Sequence, residues 1–152
     1  MRINLTVAND HAWQTTASAN NLNNVRDALL VYRSQLQLHW RGEEMQHINH
    51  AINDILARLA TVASELNAIG ANIVPAAQEV RRQEDLADAR TALAREDNNV
   101  ANLRRTFDNA QLQHNRNPNQ STQAALNTAR NNLNNAIRIR NNAADKVRTL
   151  TR

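Results

Sequence analysis

A stripe of large apolar residues dominates the first half of the chain, with spacings that alternate between four and three. Such spacing places side chains on one face of an α-helix, and its persistence over four heptads is typical of coiled-coil-like packing. The stripe therefore predicts a long amphipathic helix that pairs with another helix. Its members are Ile48, Ile52, Ile55, Leu59, Val62, Leu66, Ile69 and Ile73.

A second stripe precedes the first and predicts a helix that ends just before Gly42. Its start is expected near Trp13, with a cap at Asn9 or Asp10. Gly42 stands where a helix C-terminus favours a left-handed residue, and acidic residues 43–44 suit the start of a new helix. The members of this stripe are Leu22, Val25, Leu29, Tyr32 and Leu36.

Pro75 is expected to end or kink the second helix. Residues 10–74 then form a helical hairpin, and we assign residues 1–75 to a first domain. The pairing surface of this hairpin is predicted from both stripes: Leu29, Tyr32, Leu36, Ile48, Ile52, Ile55, Leu59, Val62, Leu66, Ile69 and Ile73.

The second half, residues 76–152, predicts another hairpin that is richer in asparagine and arginine. The turn-forming segment 115–121 separates two further stripes, and Ser121 is a candidate cap for the last helix. Arg140 interrupts the final stripe, so it either extends to the edge or meets an acid there. The two stripes are Leu86, Leu93, Val100, Leu103 and Phe107, followed by Leu126, Ala129, Leu133, Ile137, Ala144, Val147 and Leu150.

Composition supports an all-α protein of two antiparallel helical hairpins, forming a four-helix bundle or an elongated coiled-coil-like assembly. The 152 residues include two glycines and two prolines, and aromatic residues make up 3%. The chain has no cysteine, which removes disulfides and thiolate metal sites. No stretch approaches the roughly 20 apolar residues of a membrane span. The N-terminal residues lack an apolar signal core, so export would use another route.

Positive charge is concentrated in the last quarter of the chain. Residues 116–152 have a net charge of +6, whereas residues 1–115 have −2. A basic final helix could contact nucleic acid or an anionic surface. Alternatively, it packs on the more acidic first half or is simply solvated. Nucleic acid is the less favoured partner, because the aromatic content is too low for base stacking. The basic residues concerned are Arg130, Arg138, Arg140, Lys146 and Arg148.

One cluster of acidic residues and histidines has spacings that suit a metal. Glu43, His47, His50 and Asp54 share one helix face, and imidazole with carboxylate can bind a divalent ion. This face is opposite the apolar stripe, where nothing would desolvate it, so we expect a solvated surface. We accordingly predict no cofactor, no catalytic residue and no enzymatic activity.

Trp40-Arg41-Gly42 lies between two long amphipathic helices and resembles the signature of the WXG-type helical hairpins. Proteins of that family are small substrates of type VII secretion, in which the Trp-x-Gly tripeptide forms the turn and two hairpins pair. The resemblance covers residues 1–75 and implies that Trp40 and Gly42 carry the turn. The chain departs from the family in two ways. It has an extra hairpin, and it lacks the family's export motif, which is a tyrosine followed four residues later by an acid. Tyr32, the only tyrosine, has Leu36 at that position.

A weaker resemblance concerns the last hairpin. Its turn at Asn117-Pro118-Asn119 is similar to that of type III secretion needle subunits, which are single hairpins of about half this length. We therefore expect a secreted, non-enzymatic protein that acts as a partner, adaptor or carrier through helix pairing. A self-assembling filament subunit and a basic-helix binder remain alternatives. The expected partner is a protein, either another copy or a related hairpin, and without export the protein would be cytoplasmic.

Overall fold

The chain forms three long α-helices in a computed structural model that describes residues 2–40 and 42–152. Helix α1 spans Leu5–His39, α2 spans Glu43–Arg116 and α3 spans Gln120–Thr151. No strand occurs in either described range. The prediction of an all-α protein is confirmed. Helix α1 contacts the first part of α2, and α3 contacts the last part of α2.

The first helix begins earlier than the apolar stripe indicates. Asn4 has extended backbone angles, and its side-chain oxygen accepts hydrogen bonds from the backbone N–H groups of Thr6 and Val7 at 2.9 and 3.3 Å. These bonds satisfy two of the N–H groups that a helix start leaves unpaired. The predicted cap at Asn9 or Asp10 is therefore wrong. The extra turn and a half buries Ala8.

The third helix is capped by Asn119 and not by Ser121. The Asn119 side chain accepts the backbone N–H of Thr122 at 3.0 Å, and the Thr122 hydroxyl accepts the backbone N–H of Asn119 at 3.1 Å. This reciprocal pair is a capping box, with threonine replacing the more usual glutamate. The Thr122 hydroxyl also lies 3.0 Å from Nδ1 of His114, so the cap is joined to the end of α2.

Pro75 does not end the second helix, and the predicted four helices are three. Helix α2 continues through Pro75 for 74 residues. A proline inside a helix removes one N–H and crowds the carbonyl four residues earlier, which here belongs to Ala71. Both Pro75 and Ala71 are exposed, so water can reach the freed carbonyl. The cost of the proline is thereby limited, and the helix persists.

The chain divides into two compact units, residues 1–80 and 81–152. Unit 1 contains α1 and residues 43–80 of α2, and unit 2 contains the rest of α2 and α3. Small residues dominate the buried positions of both units. Seven of the buried residues are alanines and one is Gly70. The buried hydrophobic residues of the described chain are Ala8, Ala19, Met45, Ile52, Ala63, Ala77, Ala89, Leu126, Ala129 and Ala136.

Polar contacts in unit 1 follow one register between α1 and α2. Arg33 donates to the Asn53 side chain at 2.6 Å, and Gln37 donates to the Asn49 side chain at 3.1 Å. Moving four residues towards the turn on α1 thus moves the contact four residues towards the turn on α2. Far from the turn, Gly70 meets residues 12–16 of α1 in the same register.

Unit 2 shows a similar series between α2 and α3. Near the turn between them is the His114–Thr122 contact, and the guanidinium of Arg130 lies 6.0 Å from the ring centre of Phe107. Further along, Arg140 meets Asp97. At the other end, Arg82 donates to the carbonyl oxygen of Leu150 at 2.7 Å.

Candidate helix-pairing surface

The turn motif lies at the junction of α1 and α2. Trp40 directly follows the last residue of α1, and its backbone N–H donates to the carbonyl of Leu36 at 2.9 Å. Its side chain is 48% exposed. The Gly42 carbonyl accepts the N–H of Met45 at 3.0 Å and so begins α2. No glycine in the described part of the chain has a positive φ, while the Arg41 between the two motif residues lies outside it.

The predicted pairing surface is divided by the structure into a packed part and an exposed part. Ile52 is buried, with 7% of its surface exposed. Half-buried are Leu29, Leu36, Ile48, Leu59, Leu66 and Ile73. The remaining four face solvent, and they are Tyr32, Ile55, Val62 and Ile69.

The packed face of α2 in unit 1 differs from the predicted stripe at three positions. Both share Ile52, Leu59, Leu66 and Ile73, but at positions 55, 62 and 69 the structure packs the following residue instead. At the first stripe position, Ile48 and Asn49 are both half-buried. The packed residues that follow stripe members are smaller than those members or polar, apart from Leu56. Alanine and glycine let two helices approach closely, whereas a β-branched side chain would hold them apart. The packed positions are Met45, Asn49, Ile52, Leu56, Leu59, Ala63, Leu66, Gly70, Ile73 and Ala77.

The same displacement occurs on α1. The predicted stripe included Val25 and Tyr32, yet these are 54% and 55% exposed. The following residues, Arg26 and Arg33, are half-buried in their place. Long arginine side chains can lie along a helix seam and extend their charged ends to water. We call the exposed residues Val25, Tyr32, Ile55, Val62 and Ile69 the apolar row.

The apolar row is the feature of the described chain that most resembles a binding surface. Its α2 members recur every seven residues along one side of that helix. Single exposed apolar residues are ordinary, but a sustained row of them marks an interaction site. The sequence shows this signal as the large members of the stripe, which are part of the predicted pairing surface.

Helices α1 and α2 approach each other closely at Gly70, which is not among the residues predicted from the sequence. A Cβ added there would lie 2.8 Å from Oγ1 of Thr16 and 3.2 Å from the backbone oxygen of Ala12. The Thr16 hydroxyl is itself held by the Ala12 carbonyl at 3.0 Å. A glycine within a long apolar stripe was the available signal, because glycine there has no helix-forming advantage.

We expect Gly70→Ala to lower the free energy of unfolding by about 1 kcal/mol. The gain in helix propensity is about 1 kcal/mol, and overpacking costs roughly 1–3 kcal/mol. Urea unfolding followed by circular dichroism measures the difference. Thr16→Ala combined with Gly70→Ala should recover part of the loss, because it removes the nearer of the two clashing atoms. Gly42→Ala is the matched control, since the atom it approaches is the mobile carboxylate end of Glu44 at 3.0 Å. A Gly70→Ala variant more stable than the native chain would contradict the close approach.

The basic residues predicted on the last helix occupy mixed environments. Arg130, Arg138, Lys146 and Arg148 are exposed, whereas Arg140 is half-buried on the packed face of α3. The Nε of Arg140 lies 2.8 Å from a carboxylate oxygen of Asp97 on α2. Of the two alternatives left open for Arg140, the acid partner is the one observed. Arg148 forms an ion pair with Asp145 at 3.1 Å, one turn away.

The candidate metal ligands lie on an exposed helix surface. Glu43, His47, His50 and Asp54 are all solvent-exposed. Within residues 2–40 and 42–152, no group of three His, Asp or Glu side chains is arranged to hold a metal ion. A shallow groove of about 250 Å³ on α2 is lined by Asp88, Thr91, Ala92 and Arg95.

A search of the described helices finds none that combines the length and hydropathy of a membrane-spanning segment. In comparisons with known proteins, the chain matches no family model, no curated protein and no solved structure.

Proposed function

We propose that the protein is a non-enzymatic helix-pairing module that binds a helical protein partner through the apolar row. The observation that carries this proposal is the exposure of a row of large apolar side chains beside the packed seam of unit 1. Ile55, Val62 and Ile69 are each about half exposed, and burying such side chains contributes about 1 kcal/mol or more apiece. A partner helix laid along the row would supply that burial.

The arrangement that we infer is an antiparallel helical hairpin in each unit. The register of the contacts Arg33–Asn53, Gln37–Asn49 and Gly70–Thr16 supports it in unit 1. In unit 2 the support comes from the His114–Thr122 and Asp97–Arg140 contacts. Two hairpins can complete a four-helix bundle, either with one another or with helices of a partner.

Photo-crosslinking in cells tests whether the row is a binding surface. A photoreactive phenylalanine analogue replaces Val62, and in a matched control it replaces Ser64, which is exposed on the same helix but lies about 200° around it. We expect a discrete crosslinked product at position 62 and none at position 64. Equal crosslinking at both positions, or none at position 62, would show that the row binds nothing.

The resemblance of Trp40-Arg41-Gly42 to the WXG-type motif extends the proposal to type VII secretion. In this extension, the half-exposed Trp40 side chain offers a large apolar surface at the turn. The partner would be part of the export route or a protein exported together with the chain.

Trp40→Ala is expected to reduce export while changing the helix content and the unfolding temperature little. The reason is that Trp40 follows the last residue of α1 and buries only part of its side chain. Secretion is measured by immunoblotting of culture medium and cells, with Trp13→Ala as a control because Trp13 is 74% exposed on the same helix. Export of Trp40→Ala at the native level would count against the type VII extension.

A further inference from the structure

The exposed face beside the seam of unit 1 has a near-symmetric sequence along both helices. Along α2, residues spaced by seven read Ile48, Ile55, Val62, Ile69 and Ala76, of which Ile48 is half-buried and the others are exposed. This set is centred on Val62, with isoleucine at equal distances on both sides. A surface that pairs with a copy of itself about a two-fold axis requires such a pattern, because each residue then meets its counterpart from the other side of the centre.

The corresponding face of α1 is centred at the same level. Its residues spaced by seven are His11, Ser18, Val25, Tyr32 and His39, and the middle one is Val25. The register set by the Arg33–Asn53 and Gln37–Asn49 contacts brings Val25 level with residues 61 and 62 of α2. One two-fold axis can therefore pass beside both Val25 and Val62.

Both sets lie on the same side of the hairpin. Each member directly precedes a packed residue, as Val25 precedes Arg26 and Ile55 precedes Leu56. When two facing helices run in opposite directions, the residues that precede packed positions lie on one common side of the pair. The polar contacts of Gln37 and Asn53 involve residues that follow packed positions, and these occupy the opposite side.

Charge on this face is complementary to that of a second copy. Arg58 and Glu65 are exposed on α2. They follow Ile55 and Val62 by three residues each, and so lie next to the apolar row on the side away from the packed seam. In an antiparallel α2–α2 pairing centred at Val62, Arg58 of each copy meets Glu65 of the other. Neither residue has an ion-pair partner among the residues that the structure describes. The pairing would satisfy both, twice in each dimer.

The face is also large enough for a stable dimer. The stretch from residue 48 to residue 76 is about 42 Å long at 1.5 Å per residue, and two helices side by side are about 20 Å wide. The contact area is then about 800 Å² per copy, which is that of a standard specific interface. We propose that the partner of the apolar row is a second copy of this chain, with α2 packed antiparallel on α2 about an axis at Val62.

This proposal rests on the proposed function, because it names the occupant of the same surface. Single cysteines test its geometry directly, since the chain has no cysteine of its own. Val62→Cys alone should give a disulfide-linked dimer on mild oxidation. Ile55→Cys and Ile69→Cys should each remain largely uncrosslinked alone but should crosslink when mixed. Ser64→Cys serves as the control on the outer side of α2.

Charge reversal tests the same pairing without a cysteine at the centre of the interface. Arg58→Glu and Glu65→Arg each create two like-charge contacts per dimer, and each should raise the dimer dissociation constant by about tenfold or more. Because the first variant carries two acids and the second two arginines at these positions, an equimolar mixture should recover dimers. Light scattering and native mass spectrometry measure the mass, and the native chain should show twice its 17.1 kDa.

The outcomes separate this inference from the proposed function. A purified chain that stays monomeric at all concentrations, or grows into polymers, overturns self-pairing. Self-pairing is also overturned if Ser64→Cys crosslinks as readily as Val62→Cys, or if the mixture of charge variants stays monomeric. If the product crosslinked at position 62 in cells contains a different helical protein, self-pairing fails while the proposed function holds. If position 62 gives no product at all, both fail.

Discussion

Replacing Ile52 with alanine should lower the free energy of unfolding by about 2–4 kcal/mol, whereas the same change at Ile55 should lower it by about 1 kcal/mol or less. The two isoleucines are three residues apart on one helix, but Ile52 is 7% exposed and Ile55 is 48% exposed. Truncating a buried isoleucine removes transfer energy and leaves a cavity, while truncating an exposed one leaves no cavity. The comparison holds residue type and helix propensity constant.

Urea unfolding followed by circular dichroism gives both values. The measurement is repeated at two protein concentrations, because Ile55 belongs to the apolar row and its truncation weakens association. Ile55→Ala should therefore reduce the concentration dependence of unfolding more than the intrinsic stability. Equal intrinsic losses for the two variants would show that the packed face had been assigned to the wrong residues.

Replacing Pro75 with alanine should raise the free energy of unfolding by about 2 kcal/mol. Alanine restores the N–H that can donate to the Ala71 carbonyl and removes the crowding of the proline ring, a difference of about 3 kcal/mol in a helix interior. This gain is reduced by about 0.4–1 kcal/mol, because proline also lowers the conformational entropy of the unfolded chain and alanine does so less.

The control for this prediction is Pro118→Ala, because Pro118 lies in the turn before α3, outside any helix. That variant should be neutral or slightly destabilising. Thermal and urea unfolding measure both variants. A destabilised Pro75→Ala variant would indicate that α2 is interrupted at Pro75 and does not continue through it.

The sequence was sufficient to predict an all-helical chain but not which of two overlapping stripes is packed. Positions 48, 55, 62 and 69 and positions 49, 56, 63 and 70 both complete a three-four alternation with Ile52, Leu59, Leu66 and Ile73. Hydropathy favours the first set, because its members are all large and apolar. Close packing favours the second, which includes Ala63 and Gly70. How closely two helices approach is a property of both of them, and a stripe on one helix does not reveal it.

Helix ends were predicted less well for a different reason. Asparagine is an effective cap, and this chain has 24 asparagines, so many positions qualify. The choice of Asn4 over Asn9 depends on whether the intervening residues pack, and Ala8 does. At Pro75 a local rule was outweighed by continuous packing on both sides, from Ile73 to Ala77. Ala71, whose carbonyl loses its partner at Pro75, lies on the exposed side of the helix, where water can reach it.

A seam whose fully buried positions are mostly alanine also has a thermal consequence. Unfolding exposes less apolar surface from such a seam than from one of leucine and isoleucine, and the heat-capacity change scales with that surface. The protein should therefore unfold with a heat-capacity change below the usual 12–15 cal/mol/K per residue. Its stability curve would be correspondingly flat. Such a chain loses little stability on cooling, and its helices stay folded over a wide range of temperature even where the maximum stability is modest.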